Sequence, residues 1–293
     1  MMTNPNRPRR SVLYMPGANT RALEKARSLA ADSLILDLED AVAPDTKSKA
    51  RENIRLALEV GFGHREAIVR INGLNTQWGL DDLKTFANSK ADAILLPKVE
   101  SATQIKEVAS LLKQFNPVNT IKIWAMIETP MAIFKLLEIA SSDPLLEAFV
   151  LGTSDLVKDL HARHTPDRVA TQTALSLSVL AARAHQLCVL DGVHLSLDDE
   201  VGLQQSCIQG RDMGFDGKTL IHPSQIALAN EIFGPSLEEI DEAKQSIAAY
   251  DAAISSGAGI AVRNGKLIEE LHIQDAKRIL ALANAIDAFL KAN

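Results

Sequence analysis

A chain of 293 residues, 46% hydrophobic and 23% charged, has room for two average domains or one large α/β barrel. Its net charge of −6 comes without a basic run, which argues against a nucleic-acid partner, and no apolar run reaches membrane-spanning length. The stretch Ser11–Met15 is too short for a signal peptide, and the two cysteines, Cys188 and Cys207, fit buried thiols in a reducing compartment, so a soluble cytoplasmic protein is expected.

Taken in order, short apolar runs alternate with amphipathic stretches. Ser11–Met15 reads as a strand and Thr20–Ala31 as a helix. Ser33–Leu38 is a continuous apolar run ending in Glu39-Asp40, and Thr46–Val60 has a charged and an apolar face. Ala67–Ile71 is a strand holding Arg70 and leading to Asn72-Gly73; Gly79–Asn88 follows as a helix. Ala93–Leu96 is a strand ending in Pro97-Lys98. Ser101 is placed to cap a helix running to Phe115. Lys122–Thr129 and Ala148–Leu156 are apolar runs that each stop at a carboxylate, Glu128 and Asp155. Pro130–Ala140 between them has the spacing of one amphipathic helix. Thr171–Gln186 is helical, Cys188–Leu190 is a strand ending in Asp191-Gly192, Asp199–Met213 is helical, and Phe215–Ile221 is a strand ending in His222-Pro223.

Runs without polar alternation suit strands buried on both faces. Eight strand–helix units in about 220 residues match a (β/α)8 TIM barrel. A doubly wound sheet is disfavoured because the first turn, Pro16-Gly-Ala-Asn-Thr20, lacks the G-x-G-x-x-G pattern. Gly217-Lys218-Thr219 imitates the end of a phosphate loop, but Asp212 stands where its first glycine is needed. The barrel is assigned to residues 1–234. Residues 235–293 form an extension: a helix over Ser236–Ser256, a hairpin over Ala261–Ile268 around Asn264-Gly265, and a helix over Ile273–Leu290.

Chemistry in such barrels sits at the C-terminal ends of the strands. Those ends carry Asp37, Glu39, Asp40, Arg70, Asn72, Lys98, Glu128, Asp155, Asp191 and His222. A strand–helix–strand unit sets Glu128 and Asp155 side by side on one edge. Two carboxylates in a partly dry site repel unless a proton or cation lies between them, and an oxygen-only pair suits Mg²⁺, completed by water and substrate. Arg70 either pairs with Asp37 or Glu39 on the next strand or holds an anionic substrate, and both can hold at once. Lys98 has the same two options. His222 is read as orienting the last turn. His161 and His164, near Asp167, lack zinc-site order, and Cys188 lacks a partner base.

Arg10-Ser-Val-Leu-Tyr-Met-Pro-Gly17, Leu36-Asp-Leu-Glu-Asp-Ala-Val42, Val69-Arg-Ile-Asn72, Leu96-Pro-Lys98, Ile127-Glu-Thr129, Gly152-Thr-Ser-Asp-Leu156 and Gly217-Lys-Thr-Leu-Ile-His-Pro-Ser224 occur in order. Together they resemble the HpcH/HpaI aldolase and citrate lyase β-subunit family, in its CoA-ester lyase subgroup with malyl-CoA and citramalyl-CoA lyases. The resemblance implies a TIM barrel with Mg²⁺ held by Glu128 and Asp155, and Arg70 on the substrate carboxylate helped by the backbone of Gly152 and Thr153. It implies homotrimers or hexamers whose C-terminal extension reaches a neighbouring subunit. Many relatives carry D-G-K-M-I-D-x-P there; this chain has Asn264-Gly-Lys-Leu-Ile-Glu-Glu-Leu271, with Glu269 in place of the catalytic Asp.

The expected reaction cleaves a 3-hydroxy-3-carboxyacyl thioester, of CoA or an acyl carrier protein. The products are acetyl-thioester and a 2-oxo acid such as oxaloacetate, pyruvate or glyoxylate. Arg70 fixes the carboxylate, Glu269 acts as acid, and Asp37, Glu39, Asp40 and Lys98 support the site through Arg70 and bound water. The alternatives are the citryl-carrier-protein lyase subunit of a citrate lyase complex, a malyl-CoA thioesterase, and a non-catalytic binding protein of the same fold.

Overall fold

The computed structural model describes residues 7–118, 121–255, 261–263 and 266–291. Eight parallel strands close into a barrel in sequence order: β1 (Ser11–Pro16), β2 (Ser33–Asp37), β3 (Glu66–Arg70), β4 (Ala93–Leu96), β5 (Lys122–Ile127), β6 (Leu146–Leu151), β7 (Cys188–Asp191) and β8 (Gly217–Leu220). The last strand returns to the first through Val12 opposite Thr219. The fold is therefore the expected (β/α)8 barrel.

The period-two geometry of a strand sorts its side chains into two cores. Val12, Ile35, Ile68, Leu95, Trp124, Met126, Val150 and Leu190 fill the barrel interior. Their neighbours, Leu13, Leu34, Leu36, Val69, Ile94, Ile123 and Phe149 among them, pack against the helical layer. Both sets are buried, which is why the strands read as unbroken apolar runs.

The barrel's N-terminal end is closed by charge. Arg9 donates to both Glu66 oxygens at 2.8 and 2.6 Å and to Glu147 at 2.8 Å, with its guanidinium 5.0 Å over the Trp124 ring. Ser33 Oγ and Trp124 Nε1 donate to the same two carboxylates. Removing one partner of a buried pair strands the other charge. Glu66→Ala is thus expected to destabilise the protein by about 3 kcal/mol, read from the urea midpoint.

The helical layer comprises α1 (Thr20–Ala26), α2 (Lys47–Val60), α3 (Gly79–Phe86), α4 (Ala102–Phe115), α5 (Pro130–Phe134), α6 (Leu136–Ala140), α7 (Thr153–Asp159), α8 (Gln172–Ala184), α9 (Glu200–Asp212) and α10 (Ile226–Phe233). Three features depart from the sequence reading. The helix expected over Pro130–Ala140 is broken at Lys135 (φ −110°, ψ 8°), where no glycine or proline marks the place. The run through Leu156 is not all strand. The strand stops at Leu151, the chain bends at Gly152, and Asp155 lies in the first turn of α7. Finally, α10 was not foreseen. It begins directly after the short turn Pro223–Gln225 and buries Ile226, Ala229 and Phe233.

Contacts divide the chain into two compact units. One is Arg9–Phe233; the other gathers the described residues before Arg9 and those from Gly234 onward. The second unit pairs α11 (Leu237–Ser255) with α12 (Glu270–Lys291). Its small antiparallel pair is β9 (Ala261–Arg263) and β10 (Lys266–Ile268). Ala261, Ile268 and Ile273 form its core with Ile247 and Tyr250. Asn264 and Gly265, the expected hairpin centre, lie outside the described residues. Among the described residues no helix is long and apolar enough to cross a membrane.

Candidate active site

Strand register builds the site. Asp37 and Arg70 end β2 and β3 as direct neighbours. Arg70 Nε and Nη2 each donate to Asp37 at 2.6 Å, a bidentate pair that is almost wholly buried. Asp37 also accepts from the Glu39 and Ala41 amides at 2.9 and 3.0 Å. The other guanidinium edge, at Nη1, stands 3.2 Å from Glu39 and 3.6 Å from Asp40. The Tyr14 ring supports its face at 4.8 Å, and Nη1 donates to Met126 Sδ at 3.7 Å. Of the two expected roles of Arg70, the pairing with Asp37 is the one seen, with Glu39 and Asp40 beside its other edge.

Glu128 follows the last residue of β5, which pairs with Leu151 at the end of β6. Gly152 lies against it. A Cβ on Gly152 would stand 2.4 Å from Glu128 Cβ and 2.5 Å from Oε2. Thr153 is buried beneath Gly192, with Oγ1 2.4 Å from where a Cβ there would lie. Lys98 enters through its backbone: its N–H donates to Glu128 Oε1 at 2.8 Å, while its half-exposed ammonium is 3.9 Å from Glu39.

Burial pushes the Glu128 carboxyl up to about 7. The Lys98 N–H and Arg70 oppose the rise, and the Asp155 and Glu39 charges add to it. Burial likewise pushes Glu39 up to about 7 against the pull of Arg70, with Asp40 and Asp37 adding to the rise. The Lys98 ammonium is raised by the charges of Glu39, Asp155, Glu128 and Asp40, which outweigh burial. Both glutamates keep a proton in the folded chain that the unfolded chain loses near its ordinary value of 4.5. Their contribution to stability is therefore present below about 4.5 and is lost as pH rises towards 7. In cation-free buffer the melting temperature of wild type, relative to Glu39→Gln/Glu128→Gln, is expected to fall between pH 5 and pH 7.5. A flat difference would contradict this assignment.

Among the described residues no group of three or more His, Cys, Asp and Glu forms a metal cluster. What remains is a pair: buried Glu128, and Asp155 with a side chain 27% exposed and Lys158 at 3.8 Å. The donors are all oxygen, and one is pushed towards protonation by burial and, less, by its neighbour's charge. That arrangement fits a hard divalent cation that keeps water or substrate on its other positions.

Other expected residues serve structure. Asp191, buried on the helix-facing side, is held below the usual carboxylate range because Lys218 (2.7 Å) and Arg168 (2.8 Å) outweigh the effect of burial. Lys218 is thus no phosphate-loop lysine. His222 Nδ1 accepts from the Ser224 amide and orders the last turn. Asn72 bonds Asp82. Burial pushes the Cys188 thiol up, and His161 and His164 sit on an exposed loop. Glu269 lies in the second unit, exposed at the start of α12, its N–H donating to His272 Nδ1 at 3.0 Å. Sequence reading missed Tyr14 and Met126 beneath Arg70. Their signal was available: Met126 is two residues before Glu128 on the same interior face.

The model of the HpcH/HpaI aldolase/citrate lyase family matches residues 10–223, from β1 to the end of the barrel. The chain belongs to the HpcH/HpaI aldolase/citrate lyase family. Within this family it is 52% identical to a (3S)-malyl-CoA thioesterase of Cereibacter sphaeroides, over 98% of this chain and 99% of that one. It is 35% identical to the citrate lyase subunit beta of Leuconostoc mesenteroides subsp. cremoris, over 96% and 95% of the two chains. A solved relative is CitE from Mycobacterium tuberculosis in complex with magnesium, acetoacetate and coenzyme A. It superposes with a TM-score of 0.77 at 30% identity, over 94% of this chain and 97% of that one. The citrate lyase beta subunit of the same organism, complexed with oxaloacetate and magnesium, gives 0.69 at 31% identity over 80% and 100%. All seven sequence blocks that carried the resemblance begin within the matched span.

Proposed function

We propose that this chain is a magnesium-dependent thioesterase acting on malyl-CoA-like 3-hydroxy-3-carboxyacyl thioesters. One observation carries the reading: 52% identity over nearly the whole length to malyl-CoA thioesterases, against 35% to a citrate lyase β-subunit. The site's polarity suits a substrate of this class, whichever bond is cleaved. Arg70 has Nε and Nη2 committed to Asp37, and a substrate carboxylate would take its Nη1 edge by displacing Glu39, which stands 3.2 Å from it. Glu128 and Asp155 would hold the magnesium, as relatives crystallised with that ion suggest. When bound, the ion supplies Lewis-acid polarisation of the substrate's oxygens.

The chain's own groups do the rest. Asp37 locks the Arg70 guanidinium so that little rotamer freedom is lost on binding. Tyr14 and Met126 keep the floor beneath it apolar and dry. Glu39, half-protonated near neutral pH, is suited to take a proton from attacking water and to return it to the departing thiolate. Glu269 is a second candidate for that proton transfer, supplied from a neighbouring copy.

A second reading has its own support. The citrate lyase β relatives and the complexes with oxaloacetate or acetoacetate favour carbon–carbon cleavage to a 2-oxo acid and acetyl-thioester. Both reactions use the same carboxylate clamp and metal pair. Incubation with (3S)-malyl-CoA and Mg²⁺, followed by thiol titration and mass spectrometry, separates them. Free CoA with malate is expected. Glyoxylate with acetyl-CoA in equal amounts, and no malate, would replace the thioesterase reading by the lyase one.

A further inference from the structure

The turn between β4 and α4 is held in a conformation its sequence does not favour. Lys98 has φ of 49°, in the left-handed region where a Cβ crowds the carbonyl. That backbone carries the N–H that reaches Glu128 Oε1 at 2.8 Å. Something must hold a lysine there, and one side chain is placed to do so.

Gln104 lies in the first turn of α4. Its Nε2 donates to the Lys98 carbonyl at 3.3 Å. Its Oε1 accepts from the Glu100 and Ser101 amides at 2.7 and 3.1 Å. One side-chain amide thus ties both sides of the turn, the Lys98 carbonyl and the amides that open α4. The acceptor half is an ordinary helix cap. The donor half is extra to capping, because it grips the strained residue itself.

We propose that Gln104 is a positioning residue. By holding Lys98 in the left-handed conformation it aims the Lys98 N–H at Glu128 and fixes the carboxylate for the cation. This rests on Glu128 being a metal ligand, so the test measures metal binding directly rather than turnover. Gln104→Glu separates the two halves of the role. It keeps an acceptor for Glu100 and Ser101 but sets an oxygen against the Lys98 carbonyl. Its added negative charge would, alone, strengthen cation binding, so a weakening cannot come from charge.

Mn²⁺ titration of the full chain, followed by electron paramagnetic resonance, provides the readout, with circular dichroism melts alongside. Gln104→Glu and Gln104→Ala are expected to weaken Mn²⁺ binding about five-fold, the order of a left-handed penalty. In the Lys98→Gly background the same substitutions are expected to change it by under about two-fold, because glycine holds a positive φ without steric cost. Binding equal to wild type in both Gln104 variants would overturn the proposal. So would the same loss in both backgrounds, since a capping role alone predicts that. If wild type and Glu128→Gln bind Mn²⁺ alike, the metal reading itself fails and takes the proposal with it.

Discussion

Glu128→Ala is expected to abolish magnesium-dependent turnover while the barrel stays folded. The carboxylate is 2% exposed, and burial together with neighbouring charge already pushes it up to about 7. Folding gains little from such a group at neutral pH, because its charge is paid for by desolvation. Its loss leaves the Lys98 N–H without an acceptor, a cost of about 1 kcal/mol that a barrel of this size absorbs. Catalysis has no such reserve. With only Asp155 left to the pair, the polarisation that a bound cation supplies disappears, and turnover should fall roughly 10³-fold. Steady-state rates at saturating Mg²⁺ and thermal melts of the same preparation check both halves. A variant that turns over at the wild-type rate in chelator-treated buffer would sink the metal assignment.

Gly152→Ala should be nearly as damaging, for a reason of space alone. The added methyl would lie 2.4 Å from Glu128 Cβ and 2.5 Å from Oε2, distances that real side chains do not tolerate. The pairing of β5 and β6 fixes both backbones, so the Glu128 side chain has to rotate or the bend before α7 has to shift. Either movement breaks the 2.8 Å bond from the Lys98 amide and separates Glu128 from Asp155. The expected result is a roughly 10²-fold loss in kcat/KM, as misplacement of a positioned group produces, together with about 2 kcal/mol of stability from overpacking. Wild-type kcat/KM in Gly152→Ala would show that the close approach is not needed.

The comparison of sequence with structure turns on where information is local. Both faces of the eight barrel strands are buried, and that produces unbroken apolar runs, so these strands were legible. Arg70 stood out because a charge inside Ile68-Val69-Arg70-Ile71 has few uses. The pairing of Arg70 with Asp37 depends on register, which a sequence does not display; only the list of candidates did. The run through Gly152 was misread because a strand and the helix after it share apolar residues, and the boundary lies in the φ and ψ of one glycine. Tyr14 was hidden for a different reason. It lies in the first strand and meets Arg70 only when the barrel curves round. The left-handed turn at Lys98 has no signature at all, since neither glycine nor asparagine marks it.

The sealed end of the barrel has a consequence for traffic. Arg9, Glu66, Glu147 and Trp124 block that end, and large apolar side chains fill the interior above them. Among the described residues, the rim that carries Arg70 and Glu128 is then the end left for a substrate to enter. Under the proposed function, a small hydroxy acid gripped by Arg70 would sit behind the long thioester arm that follows it in. Exit would then reverse entry: the thiol carrier would leave first and the acid last. The barrel is built as a dead-end street, and on the proposed function that architecture would set the order of departure before any loop moves.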